Sequence, residues 1–113
     1  MECSFEEIEL QAIVHKDQKL TWPRIETKTH WIIIGFDEDL NKAFNNALRE
    51  TVDFLVTEKK LDKYEAYGLA AIAADCRVSQ VVDIRKGVHC MVPKSLWTGK
   101  AKAKAKAAAP AKT

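Results

Sequence analysis

The sequence predicts an α+β domain: a mostly antiparallel sheet with two helices packed on one face. Three observations predict it. Strand-like runs lie at both ends of the body and the two helical patterns sit next to each other in the middle. Parallel strands would need a crossover helix between each successive pair, which this order does not supply. The last two strand-like runs, Arg77–Asp83 and Val88–Val92, stand close enough to form a hairpin across Gly87, a residue free to take positive φ. With 113 residues, one domain is expected.

The elements follow in order. From Phe5 to Val14, Ile8, Leu10, Ala12 and Val14 are apolar and Glu7, Glu9 and Gln11 sit between them, the pattern of a half-buried strand with a wet face. His15–Lys19 is a polar turn, and Pro23 forbids a central strand position around Trp22–Arg24. Trp31–Ile34, closed by Gly35, reads as a strand buried on both faces. Asp37 or Asp39 then caps a helix running to about Lys59, with Leu40, Phe44, Ala47, Leu48, Thr51, Val52, Leu55 and Val56 at three- and four-residue steps. Asp62 and Glu65 form a capping box for a second helix over Leu61–Asp75. Its alanines and Gly68 allow close approach, so it is expected to be sandwiched rather than superficial. Pro93 stops the final strand.

Charge divides the chain. The net charge is +2, yet Lys100, Lys102, Lys104, Lys106 and Lys112 all lie in the Lys/Ala-rich tail of residues 98–113. The body, residues 1–97, is therefore mildly acidic, which does not suit a nucleic-acid-binding fold. The tail is read as disordered and solvated, its lysines capable only of non-specific phosphate contact. Cys3, Cys76 and Cys90 are odd in number and widely spaced, which does not suggest a disulfide framework. Cys90 shares the parity of Val88 and Val92 and is read as a small core residue, and Cys76 as structural. No secretory leader opens the chain and no apolar run is long enough to span a bilayer, so a cytoplasmic protein is expected.

Two long stretches carry a family resemblance. WPRIETKTHWIIIGFDEDLNKAFNNALRETVDFL, from Trp22, resembles the C-terminal half of the acetamidase/formamidase family. EAYGLAAIAADCRVSQVVDIRKGVHCMVPKSLW, from Glu65, is similar to its closing segment, with the E-A-Y helix, the A-A-D-x-R strand entry and the G-V-H-x-M-V-P-K ending. The resemblance covers about Met1 to Trp97. It implies hydrolysis of short linear amides such as formamide or acetamide to the carboxylate and ammonia, by cytoplasmic oligomers. Family members carry further His- and Asp-containing motifs and a Gly-Asp-Gly-Glu segment ahead of the matching part, and none of these occurs here. The chain is therefore expected to be inactive alone and to need an N-terminal half or a homo-oligomer as partner. The expectation includes no cofactor within this chain, with room for a divalent metal in the complete enzyme. The alternative is a non-catalytic subunit-association module.

Amide hydrolysis requires an activated nucleophile or metal-bound water and a stabilised oxyanion. No zinc-ligand spacing is present. His89 and Cys90 are neighbours on a strand and so point to opposite faces, which rules out a directly hydrogen-bonded pair. The candidate catalytic residues are Glu2, nearest the absent motifs, and Glu26 and His30, which flank the entry to the Trp31–Ile34 strand. Asp75, Arg77 and Gln80 are read as a structural polar set within an apolar region. There Asp75 and Arg77 pair and Gln80 bonds a neighbouring strand or loop, because an unpaired buried charge is costly.

Overall fold

A computed structural model of the chain describes residues 4–97. Glu2 and the Lys/Ala tail lie outside the described residues. The sheet has four strands, β1 (Arg24–Glu26), β2 (His30–Asp37), β3 (Asp75–Gln80) and β4 (Lys86–Pro93). They run antiparallel in the order β1-β2-β4-β3. Between β2 and β3 lie α1 (Leu40–Thr57) and α2 (Lys63–Ala73), and a 3₁₀ turn, Lys94–Trp97, follows β4. This is the α+β arrangement the sequence predicts.

Local chemistry sets the helix starts. Asp39 is the N-cap of α1, its carboxylate accepting from the Lys42 N–H at 2.9 Å. Asp62 caps α2 with the reciprocal Glu65 contact to the Asp62 N–H at 3.4 Å. The approach of α1 to the sheet is dictated by Gly35. A Cβ there would collide with the Ala47 backbone nitrogen and lie 2.8 Å from the Ala43 carbonyl oxygen. Ala43 and Ala47 are fully buried beneath it, so small residues on both elements bring the helix backbone against the strand.

Register decides which side of the sheet is core. Trp31, Ile33 and Gly35 on β2 stand opposite Val92, Cys90 and Val88 on β4. This face meets the helices: Ile33 and Val92 pack with Phe54, Leu55, Ala66 and Ala70. A second cluster joins Ala43, Ala47, Val88 and Cys90. The buried Thr51 hydroxyl donates to the Ala47 carbonyl at 2.8 Å, so its polarity is satisfied within the helix.

Several expectations are corrected. Phe5–Val14 is not a strand, and Phe5, Ile8, Leu10 and Val14 are exposed. A strand exists only with a hydrogen-bonding neighbour, and no described strand pairs with this stretch. A three-residue strand, β1, follows Pro23 instead, at the sheet edge where a missing donor is tolerated. Gly87 is not in a turn but inside β4, without positive φ. The turn falls at residues 81–85. Helix α2 is not sandwiched: Ala66 and Ala70 are buried, but Tyr64, Tyr67 and Ile72 face outward and Gly68 meets open space. Strand β2 is covered on one face only. Finally, Cys76 and Cys90 are joined by a disulfide. They are direct cross-strand partners on β3 and β4, a proximity that sequence spacing does not reveal.

Candidate functional site

Glu26 and His30 flank the β1–β2 hairpin, whose tip is fastened by Thr27. The Thr27 N–H donates to the His30 carbonyl at 2.9 Å, and the Thr27 hydroxyl oxygen accepts from the His30 N–H at 2.9 Å. Alternation along the strands then separates the two candidates. Glu26 is the cross-strand partner of Trp31, on the helix side of the sheet. His30, one residue before Trp31, belongs to the opposite face. The structure therefore does not bring Glu26 and His30 together.

Glu26 lies at a cleft of about 620 Å³ whose walls include Arg24, Trp31, Phe54, Glu58 and Lys59. The Lys94 ammonium donates to its carboxylate at 2.6 Å. That hydrogen bond, with the lysine's charge, holds the Glu26 carboxyl below its ordinary range. A general base works best when its pKa approaches the operating pH, and this shift runs the other way. Glu26 instead ties the 3₁₀ turn after β4 to β1. Beside it, the Lys59 ammonium sits 3.5 Å from the centre of the Trp31 ring, which meets Trp97 edge-on. Removal from water pulls the Lys59 ammonium below the usual lysine range, and the Glu58 and Glu26 carboxylates oppose that shift.

The other face of the sheet is open and carries the remaining chemistry. One cross-strand row runs Ile25, Ile32, Met91, Asp75 across all four strands. The next runs Ile34, His89, Arg77. Phe36, of the same parity, stacks obliquely on Trp22 at 5.9 Å. The β1–β2 half is thus apolar and the β4–β3 half polar. Asp75 takes two atoms of the Arg77 guanidinium, with Nη2 donating at 2.7 Å. This hydrogen bonding lowers the Asp75 carboxyl below its ordinary value against a partial loss of solvent; the charge of Arg77, and of His89 and His30, adds to it. The same bond raises Arg77. Both side chains are more than half exposed, so the pair is not the buried set the sequence suggests. Gln80 donates to the Arg85 carbonyl at 2.9 Å and closes the β3–β4 loop.

Sequence reasoning missed one contact on this face: the Ser79 hydroxyl lies 2.7 Å from His89 Nδ1. The signal was the strand parity that sets His89 against Cys90, but Ser79 joins it only once the register is known. His30 Nδ1 is likewise 2.8 Å from the Thr29 hydroxyl. Among the described residues no group of three or more His, Cys, Asp or Glu side chains is placed to hold a metal ion. Among the same residues no helix is long and apolar enough to cross a membrane.

The solved structures to which this fold is similar define a class, amide hydrolases. An acetamidase from Yersinia enterocolitica superposes with a TM-score of 0.69 at 30% identity over 72% of this chain. An acetamidase from Bacillus halodurans gives 0.63 at 29% identity over 66%. A predicted acetamidase/formamidase from Thermoanaerobacter tengcongensis shares the fold, with a TM-score of 0.66 at 24% identity over 78%. The chain resembles the acetamidase/formamidase family and spans only 24%, 25% and 29% of those three chains. No protein-family model matches it, and no curated protein matches its sequence.

Proposed function

We propose that this chain is the scaffold portion of a hydrolase of short linear amides, converting substrates such as formamide or acetamide to carboxylate and ammonia. The observation that carries this is the 30% identity to an acetamidase over 72% of the chain, confined to 24% of the acetamidase's own length. On this reading the groups that attack the amide, and any divalent metal, come from polypeptide equivalent to the part not spanned. This chain contributes the open sheet face to the joint site. His30, on that face, is its candidate catalytic residue, and Glu26 is held in a structural ion pair instead. Glu2 remains a candidate from the sequence. The implied setting is a cytoplasmic oligomer.

Ammonia release from formamide and acetamide tests this. The 113-residue chain alone releases none. Co-expressed with the unmatched three quarters of the Yersinia enterocolitica acetamidase, it yields ammonia. Turnover by the chain alone sinks the claim that the attacking groups lie elsewhere. Absence of turnover on any short amide by the pair sinks the hydrolase reading. A second reading, a non-catalytic subunit-association module, is favoured by the amount of large apolar side chain exposed outside the core, Tyr64, Tyr67 and Ile72 among it.

A further inference from the structure

We infer that the open face of the sheet, centred on Ile25, Ile32, Ile34 and Met91, is the seat of the polypeptide equivalent to the unmatched three quarters of the acetamidase chain. The inference rests on the hydrolase-scaffold reading and adds the surface through which it is realised. Trp31–Ile34 is apolar at both parities, the composition of a strand covered on both faces. The helices cover only the Trp31 and Ile33 side. On the other side Ile32, Ile34 and Met91 are half-buried, Phe36 is stacked on Trp22, and Ile25 is 47% exposed. Neither helix can turn to this face: α1 is locked at Gly35, and α2 packs through Ala66 and Ala70 on the opposite side.

The identity of the occupant follows from the comparison of lengths. The acetamidases hold this fold within a chain of which it is 24–29%, so roughly three quarters of their polypeptide is available to complete the cover of a face that is only half-buried here. The chemistry of the face also suits a folded protein. Its apolar half is bounded by Asp75, Arg77, Ser79 and His89, which give hydrogen-bonding groups at the rim of a dry centre.

The experiment uses the full 113-residue chain, tagged and co-expressed with the unmatched portion of the Yersinia enterocolitica acetamidase. A stoichiometric complex is expected. Ile32→Lys and Ile34→Glu should each weaken it at least ten-fold. Ile72→Glu, on the outward side of α2, should leave it unchanged. Because the substituted side chains are outside the core, each variant should keep the melting temperature of the parent. Ile25→Lys, at the exposed edge, repeats the test should Ile34→Glu melt lower. Failure of the two to associate, association indifferent to the outer-face variants, or loss with Ile72→Glu overturns the assignment. So does a homodimer of this chain broken by Ile34→Glu, which would make a second copy the occupant. The two readings fail separately. A face-dependent complex that releases no ammonia leaves the docking surface standing and removes the amidase reading. Ammonia release that survives every outer-face substitution does the reverse.

Discussion

Single residues here have roles that their chemical type does not announce. Gly35 is required not for a turn but because the α1 backbone passes where a side chain would be. Gly35→Ala should destabilise the domain by about 3 kcal/mol, the upper part of the range for overpacking, since the obstructing atoms are backbone and cannot change rotamer. An unfolding free energy from urea titration within about 0.5 kcal/mol of the parent would contradict this. Glu26 is the second case. Its carboxyl is held below the ordinary glutamate value of 4.5 by the hydrogen bond and charge of Lys94. A group with a lowered folded pKa stabilises above its unfolded pKa and loses that contribution as pH falls through the folded value. Melting temperature should therefore hold from neutrality down to the ordinary carboxylate range and then fall. Asp75, lowered by Arg77, acts with the same sign. Lys94→Met should return the Glu26 titration, followed by NMR, toward 4.5 and flatten part of the acid limb. An unshifted Glu26 in that variant would show the ion pair to be incidental. Both carboxylates are more than half exposed and screened by solvent, so the acid limb should be shallow and Arg77→Ala should change stability little.

At the scale of elements, the β3–β4 hairpin is the unit whose character changed most. Cys76 and Cys90 bridge it across a sequence separation of 14. Closing a loop of that length stabilises by about 3 kcal/mol in the chain-entropy account. Reduction should therefore lower the unfolding free energy by about 2–3 kcal/mol. Thiol labelling of the denatured, unreduced chain should modify neither Cys76 nor Cys90. Labelling of both without reductant would overturn the bridge. The helices behave otherwise. Asp62, read from the sequence, and Asp39, one of the two residues it offered with Asp37, are the caps observed, because a cap is a contact within three residues and needs no tertiary partner. What α2 packs against is not local. Its alanines serve one stripe, and its tyrosines remain outside.

For the whole molecule, the distribution of exposed apolar side chains is the main physical fact. Residues 4–22 contribute no described strand or helix, and Phe5, Leu10 and Val14 are each more than 70% exposed. Deleting the chain through Val14 should therefore shift the melting temperature by no more than about 2 °C, since none of residues 4–14 belongs to either core cluster. A larger drop would mean that this stretch packs on the domain. The alternating pattern from Phe5 to Val14 is legible as a strand in the sequence, and the same is true of the two-sided apolar pattern of β2. Among the described residues the first pattern is left exposed, and the Ile32 and Ile34 side of the second is half-buried. The candidate site was legible to a smaller degree. Glu26 and His30 stand out by position, but their assignment to opposite faces required the pairing of Glu26 with Trp31.

The sequence by itself determined the helix positions, their caps, the antiparallel class of the sheet and the likeness to acetamidases, because each is written in local periodicity or in contiguous motifs. Only the tertiary structure decided that Cys76 meets Cys90, that Ser79 meets His89, that Asp75 and Arg77 are exposed, and that the face bearing Ile32 and Ile34 is without a helix and half-buried. The physical reason is register. Which strands adjoin, and how they are aligned, depends on contacts between residues far apart in the chain, and a shift of one residue would exchange every side chain between the covered and the open face.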